Sequence, residues 1–142
     1  MHKLFIAICS LSIILGCTQN KTESKIIETW EDGKPKKIEE YIIQKDGSKL
    51  LYKETMFFDK EQKFIEGTYN KKKERNGKWT SWFENGNKNS QGTYVDGKEH
   101  GKYTVWYPNG QIHYIGKYHH GQKSGKWKFY NEEGKLTKEV VY

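Results

Sequence analysis

A short run of aromatic residues and glycines recurs three times in the second half of the chain, and it limits what the chain can fold into. The copies read GKWTSWFENGN from Gly77, GKYTVWYPNGQ from Gly101 and GKWKFYNEEGK from Gly125, so they start 24 residues apart. Periods of roughly 20 to 50 residues are typical of arrays in which each unit packs on its neighbours. The period therefore predicts a row of similar units.

Turn signals divide most of the chain into five such units. A glycine at a turn is followed eight residues later by a tyrosine. These pairs are Gly33 and Tyr41, Gly86 and Tyr94, Gly110 and Tyr118, and Gly134 and Tyr142. Glu61 takes the turn position before Tyr69 and marks a degenerate copy. Asn-Gly and Asp-Gly are typical of two-residue type I′ turns, so we expect one β-hairpin per unit.

A second kind of connection leads from one hairpin to the next. VDGKEHG from Val95 and HHGQKSG from His119 each carry two glycines four residues apart, which predicts a looser turn. The copy at 70–77, NKKKERNG, is one residue longer and lacks the first glycine.

The core of these units is predicted to be aromatic. Hydrophobic residues make up only 34% of the chain against 30% charged residues, but there are 5 Trp and 10 Tyr. Each such ring buries roughly 150 to 250 Å². Strand alternation places Trp79 opposite Gly92 and Tyr103 opposite Gly116, and an aromatic ring over a glycine stabilises a sheet. Val140 takes the glycine position opposite Trp127.

The sequence thus predicts an all-β fold, an elongated and twisted antiparallel sheet of stacked hairpins. The predicted structural residues of the repeat are Trp79, Tyr103, Trp127, Gly92, Gly116, Gly86, Gly110, Gly134, Tyr94 and Tyr118. The same register places Phe83 opposite Lys88 and Lys128 opposite Glu139, the latter as an exposed ion pair.

The other face of the sheet is predicted to be polar, with one ring per unit. These rings are Trp82, Trp106 and Tyr130, and His113 lies on the strand beside Trp106. Flat aromatic side chains are enriched where proteins bind one another. The four residues are therefore the predicted partner-binding residues, the alternative being that loops or the twist of the sheet cover them.

The chain opens with MHKLFIAICSLSIILGC, in which a basic residue precedes an apolar run over residues 4–15. That run is about half the roughly 20 residues that a membrane-spanning helix needs, which predicts a signal-peptide helix over 1–16. The ILGC segment resembles the bacterial lipobox, which implies that Cys17 carries lipid. An ordinary secretory signal is the alternative.

The lipobox resemblance implies a protein of the cell envelope, anchored to a membrane by lipid and placed at the outer membrane if the cell is Gram-negative. Residues 17–27 are then expected to form a tether, and residues 28–142 the repeat domain. Because the only two cysteines are Cys9 and Cys17, we expect no disulfide in the repeats.

Charge and histidine content argue against other function classes. The formal net charge is +7, and all but one of the 25 basic residues are lysine, which favours a solvated surface over nucleic-acid binding. Neither a catalytic cysteine nor a serine elbow accompanies the histidines, so we expect no enzyme, no cofactor and no metal. The adjacent pair His119 and His120 is expected to be solvated on a turn.

These motifs resemble the MORN-repeat-variant family, whose units carry Gly-x-Trp/Tyr, an aromatic pair and Asn-Gly at about this period. The matching residues are Gly77, Trp79, Trp82, Phe83, Asn85 and Gly86, then Gly101, Tyr103, Trp106, Tyr107, Asn109 and Gly110, then Gly125, Trp127, Tyr130 and Gly134. The resemblance covers residues 54–142 and, more weakly, 28–53. It implies stacked hairpins that associate with proteins or membrane surfaces. Some similar bacterial proteins are labelled antitoxins, which are expected in the cytosol.

The predicted function is a lipid-anchored, non-enzymatic module that binds an unknown protein partner, with antitoxin-like binding as one form of it. The alternative is carbohydrate or cell-wall binding, because GKWTSWFENG is also similar to choline- and glucan-binding repeats, whose tryptophans stack on ligand. The final EVVY segment is a candidate edge strand for a homodimer or a partner strand.

Overall fold

The computed structural model describes residues 21–59 and 61–142, which form one antiparallel sheet of ten strands. Strand order follows chain order, so the predicted all-β fold of consecutive hairpins is confirmed. With neighbouring strands about 4.8 Å apart, the two edges lie roughly 43 Å from each other. The strands are β1 (Thr22–Thr29), β2 (Pro35–Ile43), β3 (Lys49–Phe57), β4 (Lys63–Thr68), β5 (Gly77–Trp82), β6 (Lys88–Val95), β7 (Lys98–Trp106), β8 (Ile112–His119), β9 (Gln122–Tyr130) and β10 (Leu136–Val141).

The predicted leader and the first part of the predicted tether lie outside the described residues. The signal peptide over 1–16 and the lipid attachment at Cys17 lie outside the described residues. The tether over 17–27 is described only from residue 21, and there the structure differs from the prediction. Strand β1 begins at Thr22 and pairs with β2, with Ile26 opposite Ile38. Sequence reasoning missed this strand because the segment has no repeat motif and its side chains stay exposed.

The described residues contain no helix with the length and apolarity that a membrane crossing requires.

The Asn-Gly turns are not of the predicted two-residue type. The N–H of Phe83 donates to the carbonyl of Asn87, and the N–H of Gly86 donates to the carbonyl of Phe83, both at 2.9 Å. Gly86 has a φ of 85°, whereas Asn85 is not among the residues with positive φ. The loop is therefore a type I turn closed by a left-handed glycine, three residues long. Gly110 and Gly134 repeat this arrangement.

The extra loop residue changes the register near the turn. Trp82, and not Phe83 as predicted, pairs with Lys88, because a bulge separates this pair from Ser81 and Ser90. Away from the turns the predicted register is confirmed, since Trp79 pairs with Gly92 and Tyr103 with Gly116.

Two-residue turns occur instead at the connections between hairpins, which the sequence analysis expected to be looser. Asp96 and Gly97 have φ values of 47° and 80°, and His120 and Gly121 have values of 50° and 83°, as a type I′ turn requires. The N–H of Gly97 donates to the carbonyl of Arg75 at 2.9 Å. This turn is therefore bonded to the preceding unit.

The longer connection before β5 places a lysine where a glycine would fit better. The N–H of Lys73 donates to the carbonyl of Asn70 at 3.0 Å, and Lys73 has a φ of 61°. Lys73 thus occupies the left-handed position that Gly86, Gly110 and Gly134 fill in their three-residue loops. A side chain there costs roughly 1 to 2 kcal/mol.

Replacing Lys73 with glycine should raise the free energy of unfolding by about 0.5 to 1 kcal/mol. The relief of backbone strain exceeds the greater freedom that glycine has in the unfolded chain. Urea denaturation followed by circular dichroism measures the change. Lys72→Gly is the matched control and should lower stability, because Lys72 is not among the residues with positive φ. A loss of stability in Lys73→Gly would contradict the assignment.

The large rings form the core of the repeat, but Trp79 and Tyr103 do not cover the glycines predicted for them, and Trp127 covers a glycine where none was predicted. Trp79 and Trp127 are almost fully buried, at 3% and 0% exposure. The ring over each glycine comes from the next hairpin in the chain: Trp79 covers Gly67, Tyr103 covers Gly92 and Trp127 covers Gly116. A Cβ added at any of these glycines would overlap the ring. Each ring therefore joins its own hairpin to the preceding one.

Hydrogen bonds explain why the rings lean toward the preceding strand. The indole N–H of Trp79 donates to the carbonyl of Thr68 at 2.9 Å, and that of Trp127 donates to the carbonyl of Lys117 at 3.1 Å. Both carbonyls belong to the residue after the covered glycine. Because Trp127 leans away from β10, Val140 fits opposite it without a clash.

Tyrosines pack edge-to-face against these rings. Trp79 lies between Tyr69 and Tyr94, with ring centroids 5.3 and 6.4 Å away, and Trp127 lies 5.0 Å from Tyr118. Burial raises the pKa of the Tyr94 and Tyr118 hydroxyls. The predicted structural tyrosines Tyr94 and Tyr118 therefore take part in the aromatic packing on the core face of the sheet.

Asparagine side chains link the turns of successive hairpins at one end of the strands. The Asn85 amide donates to the carbonyl of Pro108, and the Asn109 amide donates to the carbonyl of Glu132, both at 2.8 Å. Each asparagine also accepts a backbone N–H within its own turn. The asparagine of each Asn-Gly therefore stabilises its own turn and also bonds its unit to the next one.

Candidate functional site

The rings predicted to bind a partner occupy one equivalent position in three strands. Trp82, Trp106 and Tyr130 are the last residues of β5, β7 and β9, and all three are half-buried. Strand alternation places them on the face opposite the buried rings. We call these three residues the ring row. Because one strand separates each from the next, neighbouring rings are about 10 Å apart across the sheet.

The intervening strands give the ring row a gradient from cationic to apolar. Lys63 Nζ lies 5.8 Å from the ring centroid of Trp82, and Lys88 Nζ lies 5.7 Å from that of Trp106. At the equivalent positions farther along the chain, Ile112 pairs with Trp106 and Leu136 pairs with Tyr130. Leu136 is 47% exposed. The row therefore ends in an apolar patch.

His113, the fourth predicted binding residue, packs on a ring that the sequence analysis did not include in the site. Its imidazole lies 4.3 Å from the ring centroid of Tyr107, in a tilted stack, and 5.1 Å from that of Tyr114. The Tyr107 hydroxyl donates to the carbonyl of Tyr130 at 3.0 Å. Tyr107 therefore links His113 to the strand that carries the last ring of the row. The aromatic pair Trp106-Tyr107 was the only signal for it.

Buried small polar residues lie next to the ring row, two positions earlier on β5 and β7. We call these residues, Thr80 and Thr104, the shelf. Thr80 and Thr104 are 7% and 5% exposed. The Gln91 amide donates to the Thr80 hydroxyl at 3.0 Å. Because these side chains are short, they leave a shallow surface beside the larger rings. The shelf was not predicted, since threonine at an alternating position carries no distinctive signal.

Exposed lysines lie on the other side of this shelf. Lys78 and Lys102 form no ion pair with a described residue, and Lys102 pairs directly with Lys117 on β8. Like charges opposite one another destabilise a sheet. Lys128 pairs with Glu139 across β9 and β10 as predicted, but the ion pair of Glu139 is with Lys126, at 2.6 Å. The reason is geometric, since Lys126 lies diagonally across from Glu139 on the same face.

At the N-terminal side the same face is neutralised by ion pairs. Lys53 Nζ lies 3.1 Å from both Glu40 and Glu66, and Lys63 Nζ lies 2.7 Å from Glu66. Burial alone would raise the pKa of Glu66, but hydrogen bonds from Lys63 and Lys53 hold it below its usual value. This neutralisation does not extend to Lys78, Lys102 and Lys117, which form no ion pair with a described residue.

Comparison with known proteins identifies the C-terminal hairpins. Residues 75–96, 99–120 and 123–142 each match the family described as MORN repeat variant. The match begins at residue 75, later than the predicted start of the resemblance at 54. No curated protein and no solved structure matches the chain. The hairpin before residue 75 nevertheless shares the packing of the matched repeats, since its Gly67 lies under Trp79.

Proposed function

Since residues 75–142 consist of three MORN-variant repeats, a repeat type that suggests protein interaction, we propose that this chain is a non-enzymatic interaction module. Its ring row binds a partner protein at the cell envelope. The observation that carries the proposal is the open ring row. In the residues that the structure describes, the strands form one layer, and no second layer covers Trp82, Trp106 or Tyr130.

Physical chemistry supports this use of the ring row. The three rings are held by strands rather than loops, so little side-chain freedom is lost when a partner covers them. Half-buried aromatic side chains next to an apolar patch are typical of residues that dominate binding energy. The spacing of the row repeats with the units, which suits an extended partner surface better than a small ligand.

The charges around the row favour a partner with acidic groups. Lys102 and Lys117 repel each other across β7 and β8, and carboxylates on a partner would relieve that repulsion. The formal net charge of +7 adds long-range attraction for an acidic protein. We therefore propose a partner that places an apolar segment against Ile112 and Leu136, with carboxylates beside it.

The envelope location rests on the leader and on Cys17. Acyl chains on that cysteine would contribute roughly 0.8 kcal/mol per buried CH₂ and hold the module at a membrane without a protein helix. Such a location favours an envelope protein as the partner over the cytosolic toxin that the antitoxin label of similar proteins implies.

Replacing Trp106 with alanine should reduce partner recovery at least about tenfold after crosslinking in the native envelope. The substitution removes the central ring of the row, whereas the buried core on the opposite face stays intact. Far-UV circular dichroism should be unchanged. Tyr52→Ala is the matched control, because Tyr52 is also an exposed ring on a strand, at 41%, but lies outside the row.

The binding proposal is contradicted if Trp106→Ala leaves partner recovery unchanged. It is also contradicted if the variant loses both partner recovery and the β signal in circular dichroism. Binding to isolated peptidoglycan that free glycan competes away, with no crosslinked protein, would favour the carbohydrate alternative instead.

A further inference from the structure

Three imidazoles meet at the opposite end of β7 and β8 from Trp106. His100 lies on β7, His119 ends β8, and His120 is the first residue of the next turn. One nitrogen from each ring lies within 4.8 Å of the other two. The ring centroids are 5.2 Å apart from His100 to either partner and 4.5 Å apart between His119 and His120. We call these residues the histidine cluster.

We infer that the histidine cluster is a binding site for a divalent transition metal of the zinc class. In the sequence only the adjacent pair His119 and His120 is a candidate, and such a pair on a turn is expected to be solvated. His100 lies 19 residues before His119. The pairing of β7 with β8 brings His100 close to that pair. Gly101 pairs with Tyr118, which brings the preceding and following residues, His100 and His119, opposite each other. The left-handed φ of His120 then folds its side chain back toward them.

The ligand chemistry selects the class of metal. Neutral imidazole suits Zn²⁺, Cu²⁺ and Ni²⁺, whereas Mg²⁺ and Ca²⁺ prefer oxygen ligands. Three histidines with an open fourth position are a known zinc arrangement. Tetrahedral ligands at 2.0 to 2.1 Å from zinc lie about 3.4 Å from one another. His119 and His120 are exposed, so rotation of their side chains can bring the nitrogens to that distance.

A second observation supports a ligand at this point. Nδ1 of His100 is buried and has no hydrogen-bond partner among the described residues. Buried polar side-chain atoms in proteins nearly always have a partner. Coordination of the metal through Nδ1 would give this buried atom the partner that the described residues do not supply.

The site is separate from the ring row. His100 and Trp106 are six residues apart on β7, roughly 20 Å along the strand. A metal bound by the cluster joins β7 to the turn between β8 and β9, which are strands of two neighbouring repeats. We therefore expect metal binding to stabilise the array without covering the proposed partner face.

Titration of ZnCl₂ into the purified full chain, prepared without a histidine tag, tests the inference by calorimetry. We expect one equivalent of Zn²⁺ to bind and the thermal unfolding midpoint to rise with added zinc. His100→Gln, His119→Gln and His120→Asn should each weaken binding at least tenfold. Asparagine is chosen at 120 because it tolerates positive φ. The matched control His113→Gln should bind zinc like the unmodified chain.

Circular dichroism of each variant without metal separates ligand loss from misfolding. The inference is overturned if the chain takes up no saturating equivalent of zinc. It is also overturned if the variant with all three cluster histidines replaced keeps the β spectrum and still binds zinc with unchanged affinity.

Discussion

Replacing Gly116 with alanine should lower the free energy of unfolding by about 3 kcal/mol, an effect at the upper end for one methyl group. An added Cβ would lie 2.6 Å from Cγ of Trp127 and nearer still to other atoms of the ring. Trp127 is fully buried and its indole N–H is bonded to the carbonyl of Lys117, so the ring has no free space to move into. Urea denaturation followed by far-UV circular dichroism measures the loss.

The control for this substitution is Lys117→Ala. Lys117 is the next residue on β8 and is exposed, so its truncation should change stability by less than about 0.5 kcal/mol. A cost below about 1 kcal/mol for Gly116→Ala would mean that the ring does not lie against this glycine.

Replacing Trp127 with leucine should also cost about 3 kcal/mol. The change removes a buried ring, the hydrogen bond to Lys117 and the edge-to-face contact with Tyr118, and it leaves a cavity between two hairpins. Because repeats are coupled mainly to their neighbours, the loss should be concentrated near the substitution. Relative to the unmodified chain, hydrogen exchange should accelerate more in β8, β9 and β10 than in β2 and β3.

Trp106→Leu provides the comparison on the other face. Trp106 is half-buried, with Lys88 Nζ 5.7 Å from its ring centroid and Ile112 as its cross-strand partner, so the same substitution should cost less than about 1 kcal/mol. Equal costs for the two tryptophans would contradict the division of the sheet into a core face and a binding face.

The sequence predicts the hairpins well because their determinants are local. Turn glycines, alternation and the 24-residue period all act within one unit, and they are sufficient to place Trp79 opposite Gly92. The same reasoning places the three rings of the ring row on one face. It fails where neighbouring hairpins meet. A ring can cover the glycine of its own hairpin or the glycine of the preceding hairpin. The choice depends on which backbone carbonyl of the preceding strand accepts its hydrogen bond, and no residue within one unit indicates that.

Turn type was wrong for a related reason. Asn-Gly is compatible with two loop lengths, and the longer one is also used at Gly134, where a glutamate precedes the glycine. In the Asn-Gly loops the asparagine side chain reaches the next turn. Asn85, for example, donates to the carbonyl of Pro108. The histidine cluster escaped notice because His100 and His119 lie on different strands, and only the register joins them.

One arrangement accounts for both faces of the protein. Because each ring covers the glycine of the preceding hairpin, the core of the array is built between units on one face. The other face does not have to supply a hydrophobic core and can carry threonines, lysines and the ring row. The 24-residue period of the C-terminal hairpins therefore sets both the packing between units and the spacing of the proposed binding residues.

A double-mutant cycle at Gly116 tests the central claim most directly. Gly116→Ala is combined in turn with Trp127→Leu, whose ring covers the glycine, and with Tyr103→Leu, whose ring only pairs with it across the hairpin. We predict that Gly116→Ala costs less than about 1 kcal/mol once Trp127 is leucine and keeps its full cost of about 3 kcal/mol when Tyr103 is leucine. The opposite pattern, with relief only in the Tyr103 background, would show that the rings pack within hairpins and not between them.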